Sequence, residues 1–511
     1  MKSSRRWHAP CKCRSVSVPQ PYLTHPFRCL RFTVIAVAAL SALAAQGQTT
    51  LRLDDAVRLA LERNAQIKVE SFGRSIARAD LLTARGRFDP ALTFRRSYRE
   101  DAQLAPSNVI IADLIKTDDY SLGLEGTTPW GLFYRIGGSA QNQRYPFNGY
   151  QDNFQTFGGV SVTQPLLRGF GFGANLLGVR IAKADRSIAN WEFQETAINV
   201  VTNVVVGYSD LTYAQQLLRI AQRSRDLAAG LFDENEKRFR VGSISESDVT
   251  QARARMATRD NFILVARQGV HDAVNRLRSL IGETAFSVEP EELVIEPAAV
   301  PDSLVNPAED LKRAFELRPD YQAARLGLVK FRAAESAARN QLLPQVDFVG
   351  SYGYSGLDPD FSRSRHMVSN YENRSYSAGV VVSIPLTFAE GRGRSRSARL
   401  QRRQFEADLI RFEQDIAVSI ASAAGQIATT RQRVAANQAA FDLARQALEG
   451  EIKRLRAGSS STFFVLNLQE QLIQVENNLH NAMADERRAH AIYDREVGRT
   501  LGVHRVTLDE R

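Results

Sequence analysis

Apolar residues recur every three or four positions over most of the chain and every second position in two windows. The helical spacing begins at 49–90, where Leu53, Ala56, Val57, Ala60 and Ile67 form one stripe. Thr50 is the predicted cap, Asp54 and Asp55 suit the positive end of the helix, and Gly86 with Pro90 beyond it marks the stop. From Asn175 to Arg240 there is no proline and little glycine, so a rod of about 100 Å is predicted. Such a rod needs neighbours along its length, and Leu217, Ile220, Leu227 and Leu231 supply part of the seam. A turn at 241–244 leads into a helix ending near Leu280 and Gly282. Two further helices are predicted at 394–456 and 461–500, the last with the heptad seam Val465, Leu468, Leu472, Val475, Leu479 and Ala482.

The windows of alternation are 91–167 and 345–387. In the first, Leu92 and Phe94 alternate with Thr93 and Arg95, and Val160 and Val162 with Ser161 and Thr163. In the second, Tyr376, Ala378, Val380 and Val382 alternate with Ser375, Ser377 and Gly379. One face is apolar and aromatic and the other small and polar, as in antiparallel strands with lipid on one side and water on the other. Two strand pairs per chain are too few to close a barrel, and edges cannot be left in lipid. A barrel shared between chains follows.

The whole pattern is used twice. Ala60, Gly73, Arg78, Arg85 and Pro90 answer Ala314, Gly327, Arg332, Arg339 and Pro344. Gly159, Val160, Pro165 and Gly171 answer Gly379, Val380, Pro385 and Gly391. The offset falls from 254 (Ala60 to Ala314) to 220 (Gly159 to Gly379), so the first strand region is 34 residues longer. Those residues are either a longer loop or a further hairpin. The predicted segments are a leader at 1–48, a helix at 49–90, strands at 91–167, a helical hairpin at 168–282 and a linker at 283–306. A second helix at 307–344, strands at 345–387, a hairpin at 388–502 and a tail at 503–511 follow. The two hairpin turns also correspond: Arg238, Gly242 and Ser245 answer Arg454, Gly458 and Ser461.

Composition narrows the function. The net charge of +10 is concentrated in the leader: residues 1–48 hold seven Lys or Arg and no acid, leaving 59 basic against 56 acidic residues. A basic body for nucleic acid is not supported. Cys11, Cys13 and Cys29 all lie in the leader, which excludes disulfides and thiolate chemistry in the body. The apolar run from Phe32 to Leu43 after Arg28 and Arg31 reads as an export signal, too short to span a membrane. Gly169, Gly171 and Gly173 lack the dinucleotide-loop spacing, and the scattered histidines make no metal set. No catalytic constellation stands out, so the chain is read as a non-enzyme without cofactors. The basic run at 391–403 reads as a solvated helix start near the membrane.

This organisation resembles the TolC-like outer membrane efflux protein family. The residues that carry the resemblance are LRLDDAVRLALERN at 51–64, SVTQPLLRGFGFG at 161–173, VSIPLTFAEGRGR at 382–394 and the two Arg-x-x-x-Gly-x-x-Ser turns. It implies an α+β membrane protein and a homotrimer, in which three chains build one outer-membrane β-barrel continuous with a long α-helical barrel. It also implies a passive exit duct for a tripartite efflux pump or type I secretion system, met by a periplasmic adaptor and, indirectly, an inner-membrane transporter. Arg238, Gly242, Ser245, Arg454, Gly458 and Ser461 would then form the adaptor-docking tips. Closure would fall to Asp248 at the first tip and to Phe463, Phe464 and Asn467 at the second, where an Arg–carboxylate latch is missing. The reading in competition is a trimeric coiled-coil adhesin or periplasmic spacer with a membrane anchor.

Overall fold

The computed structural model describes residues 51–104, 112–146, 149–282, 293, 295–296 and 305–508. The leader therefore lies outside the described residues, as does most of the linker. The first part contains α1 (Leu53–Arg63), α2 (Ala65–Gly86), β1 (Ala91–Leu104), β2 (Ala112–Thr127), β3 (Phe133–Arg144), β4 (Phe154–Pro165), α3 (Phe172–Asn175), α4 (Leu177–Arg240) and α5 (Glu246–Leu280). The second contains α6 (Pro307–Leu317), α7 (Pro319–Asn340), β5 (Gln345–Asp358), α8 (Phe361–Ser369), β6 (Asn373–Ser383), α9 (Ala389–Arg456), α10 (Thr462–Val497) and α11 (Thr500–Val503). No described helix is long and apolar enough to cross a membrane.

Several boundaries differ from the sequence reading. The predicted helix over 49–90 is two helices, broken at Asn64. That side chain accepts from the Gln66 amide at 2.8 Å and donates to the Leu280 carbonyl at 2.8 Å, so it caps α2 and ties it to the end of α5. Thr50, the predicted cap, is outside the described residues, and Arg52 occupies the cap position without a side-chain bond. In the second part Pro319 breaks the helix in the same place, because proline drives the preceding residue to extended backbone; Arg318 has φ −68° and ψ 117°. The helix expected from 394 starts at Ala389, and the one expected over 461–500 spans Thr462–Val497.

The long helices form a single layer, with the short helices α1 and α6 packed against it. Nearer the sheet the order is α2, α4, α7, α9; toward the hairpin turns it is α5, α4, α10, α9. The first core gathers Val57, Val200, Val204, Leu211 and Leu277 around Tyr208. The Tyr208 hydroxyl donates to the carbonyls of Leu51 (2.9 Å) and Glu296 (2.5 Å), and burial pushes its pKa up to about 12. Ile295 is buried in this core and bridges Leu51, so part of the predicted linker is structural. A second core joins Ile416, Ile420, Ala489, Tyr493 and Val497. Leu227 was expected in the seam of α4; it is 52% exposed, and Ser224 and Ala228 are buried instead.

His490 is buried in α10, and neither ring nitrogen has a hydrogen-bond partner among the described residues. Burial holds its pKa below the ordinary range, opposed by Asp494 and Glu486 and aided by Arg431 and Arg499. His480 and His504 are lowered by burial as well. Each binds fewer protons folded than unfolded, so their stability contribution is complete above the unfolded pKa of about 6.5 and is lost as pH falls below it. Thermal unfolding should drop in midpoint as pH is lowered through that value, and His490→Met should flatten part of the slope. A midpoint independent of pH there would contradict this account.

The sheet has six antiparallel strands in chain order, β1 to β6. The count of two strand pairs is corrected: the longer first region adds a hairpin, β2–β3, that pairs fully into the sheet. The turn after β2 closes with Gly131 at φ 101°. The second strand region also holds a helix, α8, that its loop-like sequence did not announce.

Candidate functional site: a two-faced sheet and two helical tips

Directly paired residues share a face, so the register defines rows across the whole sheet. One row runs Leu92, Leu124, Ile136, Val160, Tyr352, Tyr376. Its members are exposed, Leu92 at 75% and Tyr376 at 71%. An uninterrupted apolar row on an open face is what a hydrocarbon environment would cover. The adjacent row, on the other face, runs Thr93, Gly123, Gly137, Gly159, Gly353, Ser375.

That glycine row has a mechanical cause. A Cβ on Gly137 would overlap the Leu122 carbonyl oxygen and the Gly123 Cα; one on Gly159 would overlap the Tyr352 carbonyl oxygen. The sheet therefore bends so sharply toward the polar face that no side chain fits at Gly137, Gly159 or Gly353 in the middle of the line. The concave side is polar, carrying Ser139, Ser161 and Ser351 and the Arg135–Glu125 pair at 2.8 Å. It is the side a water-filled channel needs.

At the far end of the helical layer stand the two turns. Gly242 has φ 74° and Gly458 φ 77°, a region that only glycine enters cheaply. In the first, the Gly242 amide donates to Phe239 O and the Ser243 amide to Arg238 O, both at 2.9 Å. In the second, Gly458 donates to Leu455 O (3.2 Å) and Ser459 to Arg454 O (3.0 Å). The paired bonds are the same helix stop built twice. The N-terminal sides differ. Ser245 caps α5 in a capping box: the Asp248 amide donates to the Ser245 hydroxyl at 3.3 Å and the Ser245 amide to the Asp248 carboxylate at 3.2 Å. Asp248, expected in closure, is thus held by its own helix cap. Ser461 makes no side-chain cap bond, and Phe464 fills the position that Asp248 holds at the first turn.

The arginines are engaged locally, Arg238 with Glu234 at 2.6 Å and Arg454 with Glu451 at 3.3 Å. Phe463 and Phe464 are 56% and 57% exposed and meet edge to face at 5.7 Å. Asn467 is exposed one turn on. Sequence reading missed the bond between the two hairpins: Arg259, buried on α5, donates to Glu470 of α10, with Arg255 at 3.7 Å from the same carboxylate. A sequence separation of 211 residues gives no local signal for it. Among the described residues no group of His, Cys, Asp and Glu could hold a metal ion.

A curved sheet with one lipid-suited face, continued by helices that end in paired turns, defines the fold of an outer-membrane duct. The family model described as "Outer membrane efflux protein" matches residues 56–283 and 311–491, and the chain belongs to that family. It is 26% identical over 335 residues to the outer membrane efflux protein BepC of Brucella suis, covering 64% of this chain and 68% of that one. With the pyoverdine export outer membrane protein OpmQ of Pseudomonas aeruginosa it shares 24% over 317 residues, 60% of this chain and 62% of that protein. Its fold matches the outer-membrane channel OprN (TM-score 0.66, 19% identity, 87% and 89% of the two chains). It also matches the CmeC channel of Campylobacter jejuni (TM-score 0.64, 16%, 87% and 85%). The protein is thus an efflux channel of the outer membrane with its helices in the periplasm.

Proposed function

We propose that this chain is one third of a trimeric exit duct through which a tripartite pump or type I secretion system passes its cargo. One observation carries the reading. Every layer is open on the same two sides: β1 and β6 in the sheet, α2 and α9 in the upper helices, α5 and α9 below. A body open on two different sides associates head to tail and closes into a ring when the rotation between copies allows it, as the curvature of this sheet favours. The edges are apolar where a neighbour would sit: Val69, Phe72 and Ile76 on α2 are each at least 60% exposed, and Leu400 and Val418 on α9 are 53% and 64% exposed. With six strands per sheet, three copies would give a barrel of eighteen. The number three rests on the family resemblance. Duplication of the unit accounts for the twofold use of strands, rod and turn within each chain.

In such a ring all six turns gather at one end. Arg238, Gly242, Ser245, Arg454, Gly458 and Ser461 would present the surface an adaptor meets, and the transporter beyond would supply the energy. The Arg259–Glu470 bond holds the first hairpin to the second. Phe463 and Phe464, exposed beside the turn without a polar latch, would close the end by apolar contact. A spacer or adhesin has less support, because its strands would lie at one end of the chain rather than midway in each half. Planar-bilayer recording separates the two: large conductance steps support the duct, and their absence the spacer. In the same assay, replacing both Phe463 and Phe464 with Ala should raise the resting conductance several-fold, with Asn467→Ala changing it less. A resting state as tight as wild type would remove the two rings from the closure.

A further inference from the structure

Where the sheet meets the helices, the apolar face ends in exposed large side chains: Trp130 (41%), Phe170 (51%), Phe172 (54%) and Leu386 (98%). These come from separate loops that meet. The Gly171 amide donates to Trp130 O at 3.0 Å, the Arg168 amide to Pro344 O at 3.3 Å, and an added Cβ on Gly391 would lie 2.6 Å from Gln341 O. They form one rim at the level where a membrane interface begins.

Directly below the rim, α9 opens with an arginine stripe. Arg392, Arg396, Arg399 and Arg403 fall within a sector of about 60° on a helix of 3.6 residues per turn. All four are exposed. Gly391 and Ser395 face α7 and are buried, while Leu400 and Val418 point to the open edge. Of the two remaining faces, right-handed winding assigns the stripe to the side of the layer that carries Val380 and Val382, the apolar side of the sheet. The neighbouring helix α7 adds Arg332 and Arg339. The acids among them are already engaged: buried Glu335 accepts from Arg402 at 2.5 Å and Arg339 at 2.7 Å, with Arg399 at 3.7 Å, while on α9 itself Glu390 pairs with Arg394 and Glu406 with Arg402. Arg392, Arg396 and Arg403 have no carboxylate partner among the described residues.

We propose that this collar recognises the phosphates of anionic glycerophospholipids in the periplasmic leaflet of the outer membrane. The inference rests on the outer-membrane placement and not on the pump or the number of copies. Its chemistry is charge complementarity continuous with the apolar band. Each guanidinium presents a planar fork that matches phosphate oxygens two at a time. The stripe spans roughly 16 Å of helix, 11 residues at 1.5 Å each, so its upper arginines sit at headgroup depth and the lower ones reach up along their stems.

The test uses the full-length assembled protein in nanodiscs of phosphatidylcholine mixed with phosphatidylglycerol, counting by native mass spectrometry the lipids retained after detergent release. Wild type should retain phosphatidylglycerol in preference. Arg392→Gln, Arg396→Gln, Arg399→Gln and Arg403→Gln together should lower that preference at least about tenfold, since each cation near an anionic surface contributes about 1 kcal/mol. The four corresponding Lys substitutions should keep part of it, because charge remains while the fork is lost. Arg253→Gln with Arg267→Gln, on exposed α5 far from the rim, should leave it unchanged. No preference in wild type, or one that survives the four Gln changes, overturns the proposal. Should the Gln variant not assemble, wild type decides by salt: a preference that does not fall with ionic strength is not phosphate recognition.

Discussion

Gly137→Val should leave almost no assembled channel in the outer membrane. The added Cβ overlaps the Leu122 carbonyl oxygen and the Gly123 Cα, and neither is a side chain that can turn aside. Relief requires β2 and β3 to separate where Gly123 and Gly137 face each other in register. Overpacking of this kind costs on the order of 3 kcal/mol or more, which is more than about a hundredfold in the folded fraction. In a closed ring the change recurs in every copy. Gly178→Ala is the control: it stands at the start of α4 with nothing within 4 Å of its Cβ, and alanine favours helix. Heat-modifiability on gels of outer-membrane fractions reads both. Wild-type levels of assembled Gly137→Val protein would mean that the bend is not needed for closure.

Phe72→Glu combined with Ile76→Glu should produce a folded chain that does not assemble. Phe72 and Ile76 are 66% and 60% exposed and lie one turn apart on the open side of α2. Within a single chain they support nothing, so its helices should survive the change with an unaltered circular dichroism spectrum. Across a seam, each would bury a side chain worth about 1.5–3 kcal/mol. Two unpaired carboxylates in their place would add a desolvation cost of several kcal/mol per ion. Sedimentation should show monomers where wild type gives a single larger species. Assembly at wild-type strength would move the seam away from α2.

Most of the architecture was legible from local pattern. Period in the apolar positions separates rods from strands, and the rods of α4 and α9 announce themselves because nothing interrupts them. Glycine followed at three residues by serine marks both turns, and both proved to be the same helix stop. Breaks within a helical pattern were harder. Asn64 looks like an ordinary helical residue until its amide is seen bonded to Leu280, more than two hundred positions away. Leu227 has the spacing of a seam residue, but it is half exposed while Ser224 and Ala228 beside it are buried. Asp248 was read for closure alone, and the structure adds a local use: with Ser245 three residues before it, the carboxylate completes a capping box.

What the sequence determined by itself is everything that depends on near neighbours: element type, the alternation that gives the sheet one apolar face, and the family it resembles. The tertiary structure decided which residues meet over long separations. It placed β2 and β3 inside the sheet, lined four glycines into one bend, joined Arg259 to Glu470, and left the same two sides of every layer open. The physical reason is that periodicity is written residue by residue. Register, curvature and the exposure of an edge come from how the elements are stacked, which no single stretch of chain contains.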